Sequence, residues 1–145
     1  MLKKCRNILR NEKGLTLIEL LAVVVILGII AAIAIPSIGN IIDNSRKDAH
    51  VANAQMVINS ARLAALDNTA YVNGTIQIGT LISGNYLEQI EDPDGGTYTS
   101  GSVTLAEGKV TSVTLVGAKR TISAAAGDNG GNLIINRDSI TSTTP

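Results

Sequence analysis

Glu19 is the ionisable residue of this sequence whose position most clearly demands a chemical partner. It lies inside the almost wholly apolar run from Leu15 to Ile35, where a carboxylate costs about 3 kcal/mol and is normally paired. No Lys, Arg or His occurs between Gly14 and Arg46, so no side chain of the run can supply the partner. Cleavage after Gly14 would create a cationic amine on Leu15, four residues before Glu19. We expect that amine, on the same chain or on a neighbour, to pair with the carboxylate.

The other residues with chemical potential have simpler interpretations. His50 is the only histidine, and we predict a polar position on a helix surface rather than a ligand or a base. Asp92 and Asp94 flank a proline and precede a glycine, a pattern that favours a turn over a metal loop. The sequence contains no P-loop, Rossmann glycine pattern, HExxH, CxxC or Gly-x-Ser-x-Gly motif. We therefore predict no catalytic residue, no cofactor, no metal ligand and no enzymatic activity.

The apolar run has the length of a membrane span. As a helix, residues 15–35 rise roughly 30 Å, which matches the hydrocarbon core of a bilayer. Basic side chains crowd the preceding fourteen residues and predict a cytoplasmic N-terminus: they are Lys3, Lys4, Arg6, Arg10 and Lys13. The rest of the chain has seven basic and eleven acidic residues and only three aromatic ones. This composition argues against nucleic-acid binding and against conduction along stacked aromatic rings.

A secretory signal peptide is the main alternative for this segment. Its apolar part would begin at Leu20, and the small residues of Ala32-Ile33-Ala34 offer a cleavage site. Glu19 interrupts such an apolar stretch, however, and the helical pattern continues beyond the possible cut. A plain signal anchor is a further alternative.

Beyond the apolar run, residues 37–66 have the periodicity of an amphipathic helix. No Gly or Pro interrupts residues 40–66, so we predict one helix of about 50 residues in all. Pro36 removes a backbone donor and is expected to kink it. The predicted buried face comprises Ile38, Ile41, Ile42, Ala49, Ala52, Met56, Leu63 and Leu66.

Turn and strand signals follow in the C-terminal half. Asn68 and Asn73-Gly74 mark the end of the long helix; Asn73-Gly74-Thr75 also matches a glycosylation acceptor pattern, although a turn explains it more simply. Glu107-Gly108 separates two alternating segments and predicts an antiparallel hairpin. The further elements that we predict are a short helix over 76–87, strands over 102–106, 109–116, 121–124 and 133–136, a loop over 128–132 and a frayed tail over 141–145.

The segment from Lys13 to Leu21, KGLTLIELL, resembles the leader and cleavage motif of type IV prepilins and type II secretion pseudopilins. The resemblance implies that a membrane peptidase cuts between Gly14 and Leu15 and methylates Leu15. It also implies that Glu19 docks each subunit against the amine of its neighbour. Gly28 and Pro36 are similar to the pair that weakens the helix in this family. Most members begin the mature chain with Phe, whereas this one has Leu15.

A second segment is similar to the same family. Gly84-Asn85-Tyr86-Leu87, followed by the turn from Asp92 to Tyr98, resembles the connection between helix and sheet in many pilins. The order of its first residues is slightly expanded here. Some secretion pseudopilins bind calcium through a late acidic loop, but Asp128 alone supplies few of the oxygen ligands that calcium requires.

Together these patterns predict an α+β pilin fold, with a long helix packed on a small antiparallel sheet. The predicted parts are a cleaved leader (1–14), a membrane and filament-core half-helix (15–36), an amphipathic half-helix (37–67), a connecting region (68–101), the sheet (102–140) and a tail (141–145). The family implies a structural pilus subunit for adhesion, motility or DNA uptake. Its partners would be its own copies, the membrane, prepilin peptidase and the pilus assembly platform, with no specific nucleic acid. The precursor would cross the cytoplasmic membrane once, and the mature subunit would lie in an extracellular pilus. A pseudopilin, or a single-span anchored domain that binds a ligand, is the alternative.

Overall fold

The computed structural model describes the backbone of residues 2–126 and 133–143 and the side chains from residue 16 onward within those ranges. The chain divides into two units, Met1–Ile42 and Asp43–Pro145, which we call unit 1 and unit 2. A single helix, α1 (Leu2–Asp67), supplies unit 1 and the first element of unit 2. The helix ends where Asn68 leaves the helical conformation and its side chain accepts a hydrogen bond from the Ala70 N–H.

Unit 2 contains a five-stranded antiparallel sheet in which every strand pairs with the next along the chain. The strands are β1 (Gly74–Gln77), β2 (Ser100–Ala106), β3 (Lys109–Val116), β4 (Arg120–Ala125) and β5 (Ile140–Ser142). A short helix, α2 (Ile78–Ser83), follows β1. The β2–β3 hairpin forms as the sequence predicts, because Glu107 (φ 53°) and Gly108 (φ 74°) adopt the positive φ of a tight turn.

The core of unit 2 lies between the sheet and one face of α1, and this arrangement confirms the predicted α+β fold. The helix contributes mainly small side chains to the core: Ala54, Val57, Ile58, Ala61, Ala64 and Ala65. The sheet contributes larger aliphatic ones, among them Val103, Leu105, Val113, Leu115 and Ile122. Small residues on the helix let its backbone approach side chains that already fill the space above the sheet.

The predicted buried face of α1 is therefore wrong within unit 2. Met56, Leu63 and Leu66 are 49%, 54% and 86% exposed, and Ala49 and Ala52 are also exposed. The sequence pattern gave the most weight to large aliphatic residues. The sheet instead supplies the bulk of the core, so the alanine-rich face turns inward.

Three predictions for the C-terminal half also need correction. Residues 76–77 belong to β1, because Ile76 pairs with Val103 of β2, and the helix covers only Ile78–Ser83. Residues 133–136 form no strand. The Asn136 side chain instead caps a 3₁₀ turn at Arg137–Ser139, and the last strand, β5, begins after it. Residues 141–142, predicted as part of a tail, pair with β4. The predicted loop over 128–132 lies outside the described residues.

Candidate functional site

The residues predicted for processing and assembly all lie on α1. The backbone of Gly14 and Leu15 is helical, and Glu19 follows one helical turn after Leu15. Residues four apart lie on the same side of a helix, so an amine on Leu15 would be close enough to interact with Glu19. The Glu19 side chain is exposed, and the described part of the chain offers it no ion-pair partner.

Around Glu19, α1 presents apolar side chains to its surroundings. All described side chains from 16 to 42 are exposed except Ala34, which is half-buried; Leu17 and Ile33, for example, are 67% and 70% exposed. Among the described residues, one helix is long and apolar enough to cross a membrane. The mean hydropathy of its most apolar window is 3.0, and none of that window is buried.

Gly28 and Pro36 lie inside the same helix. A Cβ at Gly28 would meet no described atom within 4 Å, so no packing contact in the described part of the chain requires glycine there. The helix continues through Pro36, although proline lacks the N–H that would bond one turn back. The role of both residues in weakening the helix stays a prediction.

A second group of polar residues is assembled in unit 2, where the sequence predicted none. We call His50, Asp92 and Asp94 the His50 cluster. The imidazole Nε2 lies 3.1 Å from Asp94 Oδ2 and 3.6 Å from Asp92 Oδ1, and all three side chains are 0% exposed. The prediction that His50 is a polar surface residue is therefore wrong. His50 lies on the buried face of α1, one turn before Ala54.

The turn that carries the two aspartates forms as its sequence predicts. Pro93 follows Asp92, the Asp94 N–H donates to Asp92 Oδ1 at 2.8 Å, and the Gly95 N–H donates to the Asp92 carbonyl at 2.8 Å. Gly95 takes a positive φ of 110°, which suits glycine. The turn thus points both carboxylates toward α1.

Tyr98 and Asn53 extend the cluster on the other side of the imidazole. His50 Nδ1 lies 2.8 Å from the Tyr98 hydroxyl, and the Asn53 amide donates to the same hydroxyl at 3.1 Å. Burial raises the pKa of Tyr98 to about 12. The phenol therefore stays neutral and holds one side of the imidazole ring at physiological pH.

Two arginines face the outer oxygen of Asp94. Arg120 Nη1 lies 3.4 Å and Arg46 Nη1 3.6 Å from Asp94 Oδ1. Arg120 also bonds to Asp43, which Lys47 contacts at 2.9 Å. The hydrogen bond from Lys47, helped by the charge of Arg120, lowers the pKa of Asp43. The i,i+4 pair of Asp43 and Lys47 is thus part of a larger ion network.

Sequence reasoning missed the His50 cluster because His50 lies more than 40 positions from Asp92 and Asp94. One signal was present: a lone histidine four residues before Ala54 continues the alanine-rich stripe that the structure buries. That signal becomes readable only once the correct face of the helix is known.

The N-terminal segment has a recognisable counterpart among known proteins. Residues 9–35 match the family model described as the prokaryotic N-terminal methylation motif, which is the class III leader of type IV pilins and pseudopilins. No curated protein and no solved structure matches the chain significantly.

The matched motif supports a type IV pilin-like or pseudopilin precursor. A leader of this type implies processing by a prepilin peptidase and assembly into multimers. With the apolar helix, it indicates a membrane-anchored precursor. The subunits that carry this motif are structural proteins.

Proposed function

We propose that this protein is the structural subunit of a type IV pilus. Prepilin peptidase cuts the precursor between Gly14 and Leu15 and methylates the new amine on Leu15. The precursor crosses the cytoplasmic membrane once, with its N-terminus inside. An assembly platform then moves mature subunits from the membrane into a helical filament on the cell surface, where it serves adhesion, motility or DNA uptake. The subunit itself catalyses no reaction.

One observation carries this proposal: Glu19 is the single charged residue in the exposed, apolar stretch of α1 over residues 16–35. This stretch lies within the matched leader motif. Large apolar side chains contribute roughly 1.5–3 kcal/mol each when they leave water. These side chains are removed from water both in lipid and in contact with the same helix of other subunits. This attraction has no direction, so it cannot set the register between subunits.

Glu19 supplies the missing register. In an apolar filament core an unpaired carboxylate is costly, whereas a carboxylate beside the Leu15 amine of a neighbour is neutralised. Only arrangements that bring these two groups together avoid the penalty. Gly28 and Pro36 would let the helix lose hydrogen bonds locally as subunits pack.

The sharpest test replaces the charge and leaves the apolar surface intact. We expect Glu19→Ala to be processed normally but to form no filaments, or at least tenfold fewer, because a lost pairing of about 1.4 kcal/mol per contact already changes an equilibrium tenfold. Shed pili are quantified by electron microscopy, and processing is followed by mass spectrometry. The matched control is Leu20→Ala, which removes apolar area from the adjacent position and retains the carboxylate. Normal filaments from Glu19→Ala would contradict the proposal.

The mass of the mature protein tests the processing step separately. We expect a chain that begins at Leu15 and carries one added methyl group. A chain that begins at Met1 would favour an anchored surface domain that binds a ligand. A chain that begins at Ile35 would identify a secretory signal and exclude filament assembly through this helix.

A pseudopilin is the second candidate, because the matched leader is shared by pilins and pseudopilins. Pseudopilins of secretion or competence systems would be processed in the same way but would not form long surface fibres. Electron microscopy of wild-type cells therefore separates the two candidates.

A further inference from the structure

The His50 cluster contains two buried carboxylates, of which Asp94 faces Arg46 and Arg120. Asp92 is 0% exposed at its side chain, and among the described residues only His50 lies within ion-pair distance of it. A buried carboxylate is costly unless a cation or a metal compensates it. Two backbone N–H groups donate to Asp92, and a cation bound next to His50 Nε2 would stabilise this carboxylate further.

The spacing of the three donor atoms fits a metal ion. His50 Nε2, one oxygen of Asp92 and one oxygen of Asp94 all lie within 4.8 Å of one another. The two shorter separations are 3.1 and 3.6 Å. Donors about 2.0–2.2 Å from a zinc ion are about 3.0–3.6 Å apart in tetrahedral or octahedral geometry. Two of the three separations thus match without rearrangement of the backbone.

The surroundings hold each donor in place, as the outer shell of a metal site does. The Tyr98 hydroxyl contacts His50 Nδ1 at 2.8 Å and can accept a hydrogen bond from Nδ1–H when Nε2 binds a metal. The Ala118 N–H donates to Asp92 Oδ2 at 2.9 Å, which leaves Oδ1 facing the imidazole. A Cβ on Gly117 would collide with the Asp92 carboxylate, so the close approach of this backbone depends on glycine.

Asp94 has acceptor capacity beyond its hydrogen bond with His50, in which Nε2 lies 3.1 Å from Oδ2. Its side chain is 0% exposed, yet its Oδ1 has no hydrogen-bond partner in the described part of the chain. The contacts with Arg120 and Arg46, at 3.4 and 3.6 Å, are ion pairs without hydrogen bonds. A carboxylate with spare acceptor capacity in a closed site is a suitable metal ligand.

An open groove of about 590 Å³ leads to this part of unit 2. Its lining comprises Ala49, Asn53, Met56 and residues 88–93. Glu88 and Glu91 give the groove acidic side chains, which favour the approach of cations. Because the aspartate side chains themselves are closed off, an ion would enter when the turn from Asp92 to Gly95 opens locally.

We propose that His50, Asp92 and Asp94 bind one divalent transition-metal ion, for which Zn²⁺ is the best fit. An imidazole with two carboxylates suits zinc better than calcium, which prefers oxygen ligands throughout. The sequence alone predicted no metal ligand, and only the fold brings these three residues together. The metal ties α1 to the turn that precedes the sheet, and this holds whether or not the protein forms pili.

The test uses the full-length protein in detergent, purified without a polyhistidine tag because His50 is the only histidine. All proteins carry Cys5→Ser, which removes the only thiol and thus a competing zinc ligand. After treatment with a chelator, Zn²⁺ alone is titrated by calorimetry, and circular dichroism verifies folding. We expect one ion per chain and a melting temperature that rises with the Zn²⁺ concentration.

The variants Asp94→Asn and His50→Gln are expected to lower the Zn²⁺ affinity by more than about tenfold, since even outer-shell changes cost 10- to 100-fold. Arg46→Gln should raise the affinity, because it removes a positive charge near the site. The matched control, Asp48→Asn, removes an exposed carboxylate that pairs with Arg137 at 2.6 Å and should leave the affinity unchanged. If His50→Gln does not fold, Asp94→Asn decides the question.

Three results would overturn the proposal. The first is a wild-type protein that binds no Zn²⁺ and melts at the same temperature with and without chelator. The second is Zn²⁺ binding that persists in Asp94→Asn, which would place the ion on other carboxylates. Binding of Ca²⁺ in preference to Zn²⁺ would also contradict the proposed ligand set.

Discussion

Unit 1 and unit 2 use their apolar residues in opposite ways. In unit 1 the aliphatic side chains of α1 are exposed, and the single charge among its described side chains, Glu19, has no described ion partner. In unit 2 the aliphatic side chains close a core, and even charged groups such as Asp92 are buried within networks. Unit 1 therefore depends on surroundings that the chain itself does not provide, namely lipid or other subunits. Unit 2 buries its own apolar core.

The largest expected effect comes from one substitution made in each unit. Leu115→Ala removes a side chain that is 0% exposed and should lower the free energy of unfolding of unit 2 by about 2–5 kcal/mol. Leu27→Ala makes the same chemical change at a position that is 58% exposed. It should leave that free energy within about 0.5 kcal/mol of wild type. Hydrogen exchange of the β2–β4 amides in increasing denaturant measures both.

Equal losses of unfolding free energy from Leu115→Ala and Leu27→Ala would contradict this prediction, because they would mean that Leu27 also belongs to a closed core. A filament assay compares the same two variants for assembly rather than for stability, and here Leu27→Ala is the informative one. Leu27→Ala should weaken assembly if unit 1 packs against its own copies, and it should do so without unfolding the sheet.

A second comparison concerns two faces of the same helix within unit 2. Ala61 is 0% exposed, so Ala61→Leu forces a larger side chain into a filled core and should cost about 1–3 kcal/mol. Leu66 is 86% exposed, and Leu66→Ser should change stability by no more than about 0.5 kcal/mol. The same exchange measurement applies. A larger loss of stability from Leu66→Ser than from Ala61→Leu would instead support the buried face predicted from the sequence.

These comparisons show which kinds of structure the sequence could predict. The membrane-length helix, its end near Asn68 and the hairpin at Glu107-Gly108 depend on local signals, and each forms as expected. The leader motif could also be predicted, because its residues are neighbours in the sequence; the roles of Gly14, Leu15 and Glu19 stay predictions. Local propensity and short motifs contain this information without reference to the rest of the fold.

The failures depend on contacts between distant residues. The buried face of α1 could not be predicted from aliphatic periodicity, because the volume of Leu115 and Ile122 on the sheet makes alanine the better fit on the helix. Likewise, the strand expected over 133–136 is absent because the Asn136 side chain caps a turn instead. The burial of His50 was missed for the same reason as the buried face of α1, because it depends on which face of the helix the sheet covers.

The last prediction concerns the titration of Tyr98, which has the smallest effect on stability at neutral pH and reports on one residue only. Burial raises its pKa from 10.0 to about 12, so between these values the unfolded chain loses a proton that the folded chain retains. Stability must therefore fall as the pH rises from about 10 to about 12. The hydrogen bond with Asp67 also raises the pKa of Tyr86, so the titration is made in a Tyr86→Phe background. Ultraviolet titration of tyrosinate should show a step near pH 12 in that folded protein, and adding Tyr98→Phe should remove it.

Tyr71→Phe is the matched control for this titration, because it also removes one phenol from unit 2 and should retain the step near pH 12. If Tyr98→Phe retains the step as well, Tyr98 does not lie in the closed environment that the His50 cluster requires. The conclusion that unit 2 buries its own side chains, whereas unit 1 exposes them, would then be wrong for the His50 cluster. A step that disappears only in Tyr98→Phe would show that unit 2 shields this phenol from solvent without help from a membrane or another subunit.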